Sequence, residues 1–170
     1  MGESVVCKKL SGLLLLLILL AGLTSCGPTT DERIAAQGST IKTPQGVVLL
    51  FEKAFRGQSA TGKCLSFSTD RWYGTDRAFE DVLPEHETQL EAAGWVYEEQ
   101  GYVTAWYKED DRGRFRVYIS DISDRVEEVG SNSPYTISDE QLAEIEGYST
   151  IYRISLLYVS FATIRECYSE

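Results

Sequence analysis

Apolar residues recur at three- and four-residue spacing between Asp76 and Ala93, and this pattern predicts the main helix of the chain. The repeating positions are Phe79, Val82, Leu83, His86, Leu90 and Ala93. Gly94 is placed to end the helix, because glycine adopts the left-handed conformation that commonly terminates helices. Pro84 falls inside the pattern and predicts a kink or a break, since proline removes one helical hydrogen bond.

Alternating apolar and polar positions predict strands at residues 63–73, 102–108, 115–122 and 150–161. The polar stretch around Arg112 and Gly113 predicts a hairpin turn between the second and third of these strands. A second, short helix is predicted before the last strand. Ser138 and Gln141 form a capping box at its start, and Gly147 ends it.

The order of these elements is strand, helix, strand, strand, short helix, strand. It predicts an α+β fold in which an antiparallel sheet carries one main and one short helix, in the ferredoxin-like βαββαβ pattern. Residues 43–57 fit either a helix, started by Thr43 and Pro44, or a strand of a β-hairpin. The two valines and the polar turn that follows favour a strand, which would add an extra N-terminal strand to the sheet.

A continuous apolar run from Leu13 to Leu23 follows Lys8 and Lys9. It is about half the length of the roughly 20 residues that cross a bilayer as a helix. A basic start, a short apolar core and then small residues are typical of a secretory signal peptide.

The residues Leu23-Thr24-Ser25-Cys26 that end this run resemble the lipobox of bacterial lipoproteins. The resemblance implies that Cys26 carries a diacylglyceryl group and is the first residue of the mature protein. The alternative is cleavage by the ordinary signal peptidase, which leaves Cys26 unmodified. We therefore divide the chain into a signal peptide (1–25), a lipidated flexible tether (26–45) and a single α+β domain (46–170), held outside the cytoplasmic membrane of a bacterium by its lipid anchor.

The chain carries 26 acidic and 16 basic residues, a net charge of −10. Removing the signal peptide takes away Glu3, Lys8 and Lys9 and leaves 25 acidic and 14 basic residues, a net charge of −11. So acidic a domain is unsuited to nucleic acid, which is a polyanion. It is also repelled by anionic lipid headgroups, so contact with the membrane is expected to run through the lipid anchor.

The chain has four cysteines. Cys7 is lost with the signal peptide and Cys26 is assigned to the lipid, which leaves Cys64 and Cys167. An exported domain with two remaining cysteines usually pairs them. The ferredoxin-like strand order would bring the start of the first strand next to the end of the last, and with them these two cysteines. Free thiols and a metal site are the alternatives, and the wide spacing with a single histidine disfavours a metal.

Candidates for catalysis are sparse. His86 is the only histidine of the chain and lies on the apolar side of the predicted helix, where a packing role is favoured over a catalytic one. The chain has no nucleotide-binding glycine motif and no nucleophile elbow. The acidic residues of the turns, at 109–111, 121 and 124, lack the spacing of a calcium loop and are interpreted as solvated carboxylates. We expect no catalytic residue, no metal and no cofactor.

Aromatic residues suggest a binding surface. Tyr102 and Trp106 share one face of their strand, and Tyr118 alternates with Phe115 and Val117, which we expect in the core. These three aromatics predict an exposed patch on the uncovered face of the sheet, of the kind that marks binding surfaces. The alternative is that they form ordinary cross-strand pairs.

The run from Gly74 to Trp95 also resembles small bacterial lipoproteins of uncharacterised function, in which a helix ending in Gly-Trp precedes an antiparallel hairpin. It implies no catalytic residue. The sequence therefore favours a non-catalytic binding module of the cell envelope, whose partner is an unidentified envelope protein or ligand. A small envelope hydrolase that uses His86, or a purely structural lipoprotein, are the alternatives.

Overall fold

The computed structural model describes residues 27–58, 65–100, 103–126 and 137–163. Its elements in chain order are α1 (Thr30–Gly38), β1 (Val47–Gln58), β2 (Leu65–Thr75), α2 (Phe79–Ala92), β3 (Val96–Gln100), β4 (Val103–Glu109), β5 (Gly113–Asp121), a 3-10 turn (Ser123–Arg125), α3 (Asp139–Ile145) and β6 (Thr150–Ser160). The α+β class predicted from sequence is confirmed.

The strands form one six-stranded sheet in the order β1-β2-β6-β5-β4-β3, and every neighbouring pair is antiparallel. Residues 47–58 are a strand, as favoured above. β2 and β6 are neighbours, also as expected, but β6 lies between β2 and β5. A ferredoxin-like pattern is therefore not confirmed. The sheet has more than four strands, and β2 and β5, the first and third of the strands predicted from sequence, do not pair with each other.

The main helix is confirmed between Phe79 and Ala92, and it continues through Pro84 as one element. It starts at Phe79, later than predicted. Before it, the Thr75 hydroxyl donates to the Gly46 carbonyl and accepts from the Arg77 amide. Gly94 ends it with a φ of 80°, and the Trp95 amide donates to the Leu90 carbonyl at 2.9 Å. The predicted capping box of Ser138 and Gln141 is also present, at the start of α3.

The two faces of the sheet carry different layers. On one face α1 and α2 pack over alternate residues of the central strands, including Tyr73, Val117 and Ile154. On the other face, α3 and the 3-10 turn cover one end, around Trp72 and Ile151. The main core therefore lies between the sheet and the helices α1 and α2.

The sequence interpretation made residues 26–45 a flexible tether, but the described part of this segment, residues 27–45, contains a packed helix. α1 occupies Thr30–Gly38, with Ile34 6% and the following Ile41 5% exposed. Thr29 and Glu32 form a capping box at its start. The helix is stable here because its buried face packs on the sheet, which a short polar segment alone would not achieve.

No helix in the described ranges is both long enough and apolar enough to span a bilayer.

Candidate functional site

A groove lies between α1 and the edge strand β1 and has a volume of about 450 Å³. α1 forms one wall and β1 the other, while β2 and β6 form the floor. Its lining comprises Asp31, Ile34, Ala35, Gly38, Ile41, Glu52, Ala54, Phe55, Arg56, Phe67, Ser68, Thr69, Arg71, Ile154 and Leu156. This volume is in the range of sites that bind small molecules.

Arg33 holds the N-terminal half of α1 on the sheet. Its guanidinium donates to the Tyr158 hydroxyl at 2.7 Å, pairs with Asp110, and stacks 4.8 Å above the Tyr158 ring. The side chain is only 10% exposed. Buried, charge-assisted contacts of this kind hold a helix more firmly than exposed pairs do, so the helical wall of the groove has a defined position.

Arg71 fixes the far end of the groove. It donates through Nη1 to the Gly38 carbonyl at 2.7 Å and through Nε to Glu52 on β1. Gly38 permits this close approach, because a Cβ at that position would lie 3.1 Å from Arg71 Nη2 and 3.5 Å from Leu156 Cδ2. A single guanidinium therefore ties both walls of the groove to its floor.

The interior of the groove is mainly apolar, with Ser68 and Thr69 also in its lining. Ala54 is exposed and Phe67 is half-buried, above a deeper layer formed by Ile34, Ile154 and Leu156. Mostly apolar lining with a few placed polar groups is the usual composition of a ligand site.

The end of the groove opposite Arg71 is a mouth beside the start of α1. It carries a second ion pair, between Arg56 and Asp31. Their side chains are 69% and 63% exposed. The Arg56 guanidinium also lies 5.6 Å from the centre of the Phe67 ring. An ion pair this exposed contributes little to stability, about 0–1 kcal/mol, and exchanges its partners easily.

The aromatic surface predicted from sequence does not form. Trp106 is 1% exposed and lies directly across from Val117, while Tyr118 pairs with Ala105. Directly paired residues share a face, so Trp106 and Tyr118 point to opposite faces of the sheet. Trp106 is in the main core and contacts Tyr97 edge-to-face at 5.8 Å. Tyr102 lies outside the described residues.

His86 is fully buried. Its Nε2 is 2.8 Å from the Tyr152 hydroxyl, and Tyr152 stacks on Tyr73 with ring centres 5.1 Å apart. Burial lowers the pKa of His86 to about 4 and raises that of Tyr152 above its usual range. A neutral histidine packed against two stacked phenol rings fits the packing role expected from sequence.

The turn carboxylates have local partners. Asp110 accepts from Arg33 and from the amides of Arg112 and Gly113, and Asp121 accepts from Ser123. Among the described residues, no group of three or more acidic, histidine or cysteine side chains is arranged to hold a metal ion.

No family model, curated protein or solved structure matches the chain significantly. We therefore infer its function from the geometry of the groove.

All four cysteines lie outside the described residues, so the lipidation of Cys26 and the Cys64–Cys167 disulfide stay predictions. β2 begins immediately after Cys64 and pairs with β6, which ends before Cys167. We expect no titratable thiol in the mature protein under denaturing, non-reducing conditions. Two titratable thiols, in a protein whose Cys26 is blocked, would contradict the disulfide.

Proposed function

We propose that the protein is a lipid-anchored, non-catalytic binding module of a bacterial cell envelope, and that the groove between α1 and β1 is its ligand site. The groove is the observation that carries this proposal. It combines a defined volume, a mainly apolar interior and walls held in place by the contacts of Arg33 and Arg71.

The distance between anchor and domain supports a site close to the membrane. Only Gly27, Pro28 and Thr29 separate Cys26 from the first residue of α1. At roughly 3.3–3.6 Å per extended residue, the four steps from Cys26 to Thr30 reach at most about 13–14 Å. A lipid on Cys26 would hold the start of α1, and with it the Asp31–Arg56 mouth of the groove, close to the headgroups.

The anchor is tested by growing cells that express the full chain with labelled palmitate. We expect label in the wild type and none in Cys26→Ser, because that substitution removes the thiol to which the lipid is attached. Cys7→Ser is the matched control and should keep its label, since Cys7 belongs to the signal peptide. Label that persists in Cys26→Ser would refute the anchor.

A further inference from the structure

We infer that the groove takes one acyl chain of a zwitterionic membrane phospholipid, with the phosphate and ammonium of its headgroup at the Asp31–Arg56 pair. This inference rests on the proposed anchor and adds the chemical class of the ligand.

The interior of the groove fits an acyl chain better than a polar ligand. The groove presents Ala54, Phe67 and Leu156 along its length, with the Thr69 hydroxyl between them, and its charged floor residue Arg71 is already bonded to Gly38 and Glu52. A ligand with many polar groups would lose hydrogen bonds to water and find few partners here. A hydrocarbon chain has no such hydrogen bonds to lose. Because it leaves an equally apolar bilayer, the groove only replaces the apolar contacts that the chain gives up there, and the headgroup contacts supply the net affinity.

The mouth fits a headgroup that carries both charges. Arg56 can bind a phosphate through two parallel hydrogen bonds, which is the geometry that guanidinium groups favour. Asp31 beside it can accept an ammonium. The exposed Arg56–Asp31 pair would thus exchange one internal contact for two contacts to the lipid.

The charge of the whole domain favours a zwitterion over an anionic lipid. The mature chain has a net charge of −11, and this field repels anionic headgroups while leaving a headgroup of zero net charge unaffected. The mouth has membrane lipids within reach, because Asp31 is five residues from Cys26. A lipidated Cys26 would place Asp31 at the bilayer surface.

The test uses the lipid-anchored protein extracted from membranes and reconstituted in phosphatidylcholine vesicles that contain a trace of phosphatidylethanolamine with a photoactivatable diazirine on one acyl chain. After illumination, crosslinked peptides are mapped by mass spectrometry. We expect crosslinks on the groove residues of α1, β1 and β2. Ala54→Trp should reduce them at least tenfold, because the indole fills the groove. Residue 54 is exposed on a strand that tolerates aromatic residues, so the variant should fold.

Ala92→Trp is the matched control. It makes the same substitution at an exposed position of α2 outside the groove, and it should leave the crosslinks unchanged. Equal crosslinking of wild type and Ala54→Trp, or crosslinks confined to residues 27–31, would overturn the inference.

A second arm tests the headgroup. A diazirine phosphatidylglycerol should label the groove less than the phosphatidylethanolamine does. The double substitution Asp31→Asn with Arg56→Gln should reduce this preference by about tenfold, the usual scale of charge-assisted hydrogen bonds. Equal labelling by both lipids in the wild type would overturn the headgroup assignment. A wild-type protein without palmitate refutes the anchor, whereas a lipidated protein without groove crosslinks refutes only the inference about the groove.

Discussion

Trp106→Ala should lower the free energy of unfolding by about 3–5 kcal/mol, the range for removing a large aromatic side chain from a core. Trp106 is 1% exposed and packs in the main cluster between Tyr97 and Val117. Its removal leaves a cavity that the neighbouring strands cannot close. Urea denaturation of residues 27–170 followed by far-ultraviolet circular dichroism measures the loss.

Tyr97→Ala is the control for this substitution. Tyr97 lies across from Trp106 on the same face, but it is 53% exposed. It should cost less than about 1 kcal/mol, the value of one cross-strand pair. If both substitutions cost the same small amount, Trp106 would be a surface residue and the assignment of the two faces would be contradicted.

The second large effect concerns pH. The pKa of His86 is about 4 in the folded protein, because burial disfavours the imidazolium, and about 6.5 in the unfolded chain. Between these values the unfolded state binds the proton and the folded state does not. The contribution of neutral His86 to the free energy of unfolding is therefore fully present above about pH 6.5 and is lost as the pH is lowered toward 4. At 1.36 kcal/mol per pKa unit, this loss amounts to about 3 kcal/mol.

His86→Gln isolates this contribution, because glutamine does not titrate. The difference in stability between wild type and His86→Gln should change with pH only between about 4 and 6.5. Asp70 contributes a slope of opposite sign, since burial raises its pKa and its ionisation destabilises the fold as the pH rises. This slope is common to both proteins and cancels in the difference. A difference that stays constant across this window would show that His86 is exposed to solvent.

Local patterns in the sequence predict much of the fold. The spacing that predicts α2, the glycine that ends it and the capping box at Ser138 depend on neighbouring residues, so they can be identified without knowledge of the tertiary structure. β1 was the ambiguous case. Its strand conformation is stabilised by pairing along its whole length with β2, a long-range contact that no local pattern contains.

α1 was missed because its apolar content is small. Ile34 is the only large apolar residue of Thr30–Gly38, and the helix is held by Arg33, whose partners Asp110 and Tyr158 lie 77 and 125 positions along the chain. One local signal was present. Thr29 and Glu32 have the spacing of a capping box, and this pair predicts a helix start where we inferred a tether. Without α1 the groove has only one wall, so the candidate site could not be predicted.

The predicted aromatic surface failed for a reason of register. Glu109 pairs with Arg114, and counting back from this pair places Trp106 opposite Val117. A shift of one residue in the hairpin would have put Trp106 opposite Arg116 or Tyr118, on the other face of the sheet, because each step reverses the side on which a side chain lies. The length of the turn decides this register, and the polar residues 110–112 do not specify it.

We propose that a lipid on Cys26 holds the domain, through α1, directly at a membrane. The most direct test is mass spectrometry of the N-terminal tryptic peptide of the protein extracted from membranes. We predict a peptide that begins at Cys26, ends at Arg33 and carries the added mass of a diacylglyceryl group. A peptide that begins at any other residue, or an unmodified Cys26, would contradict the claim.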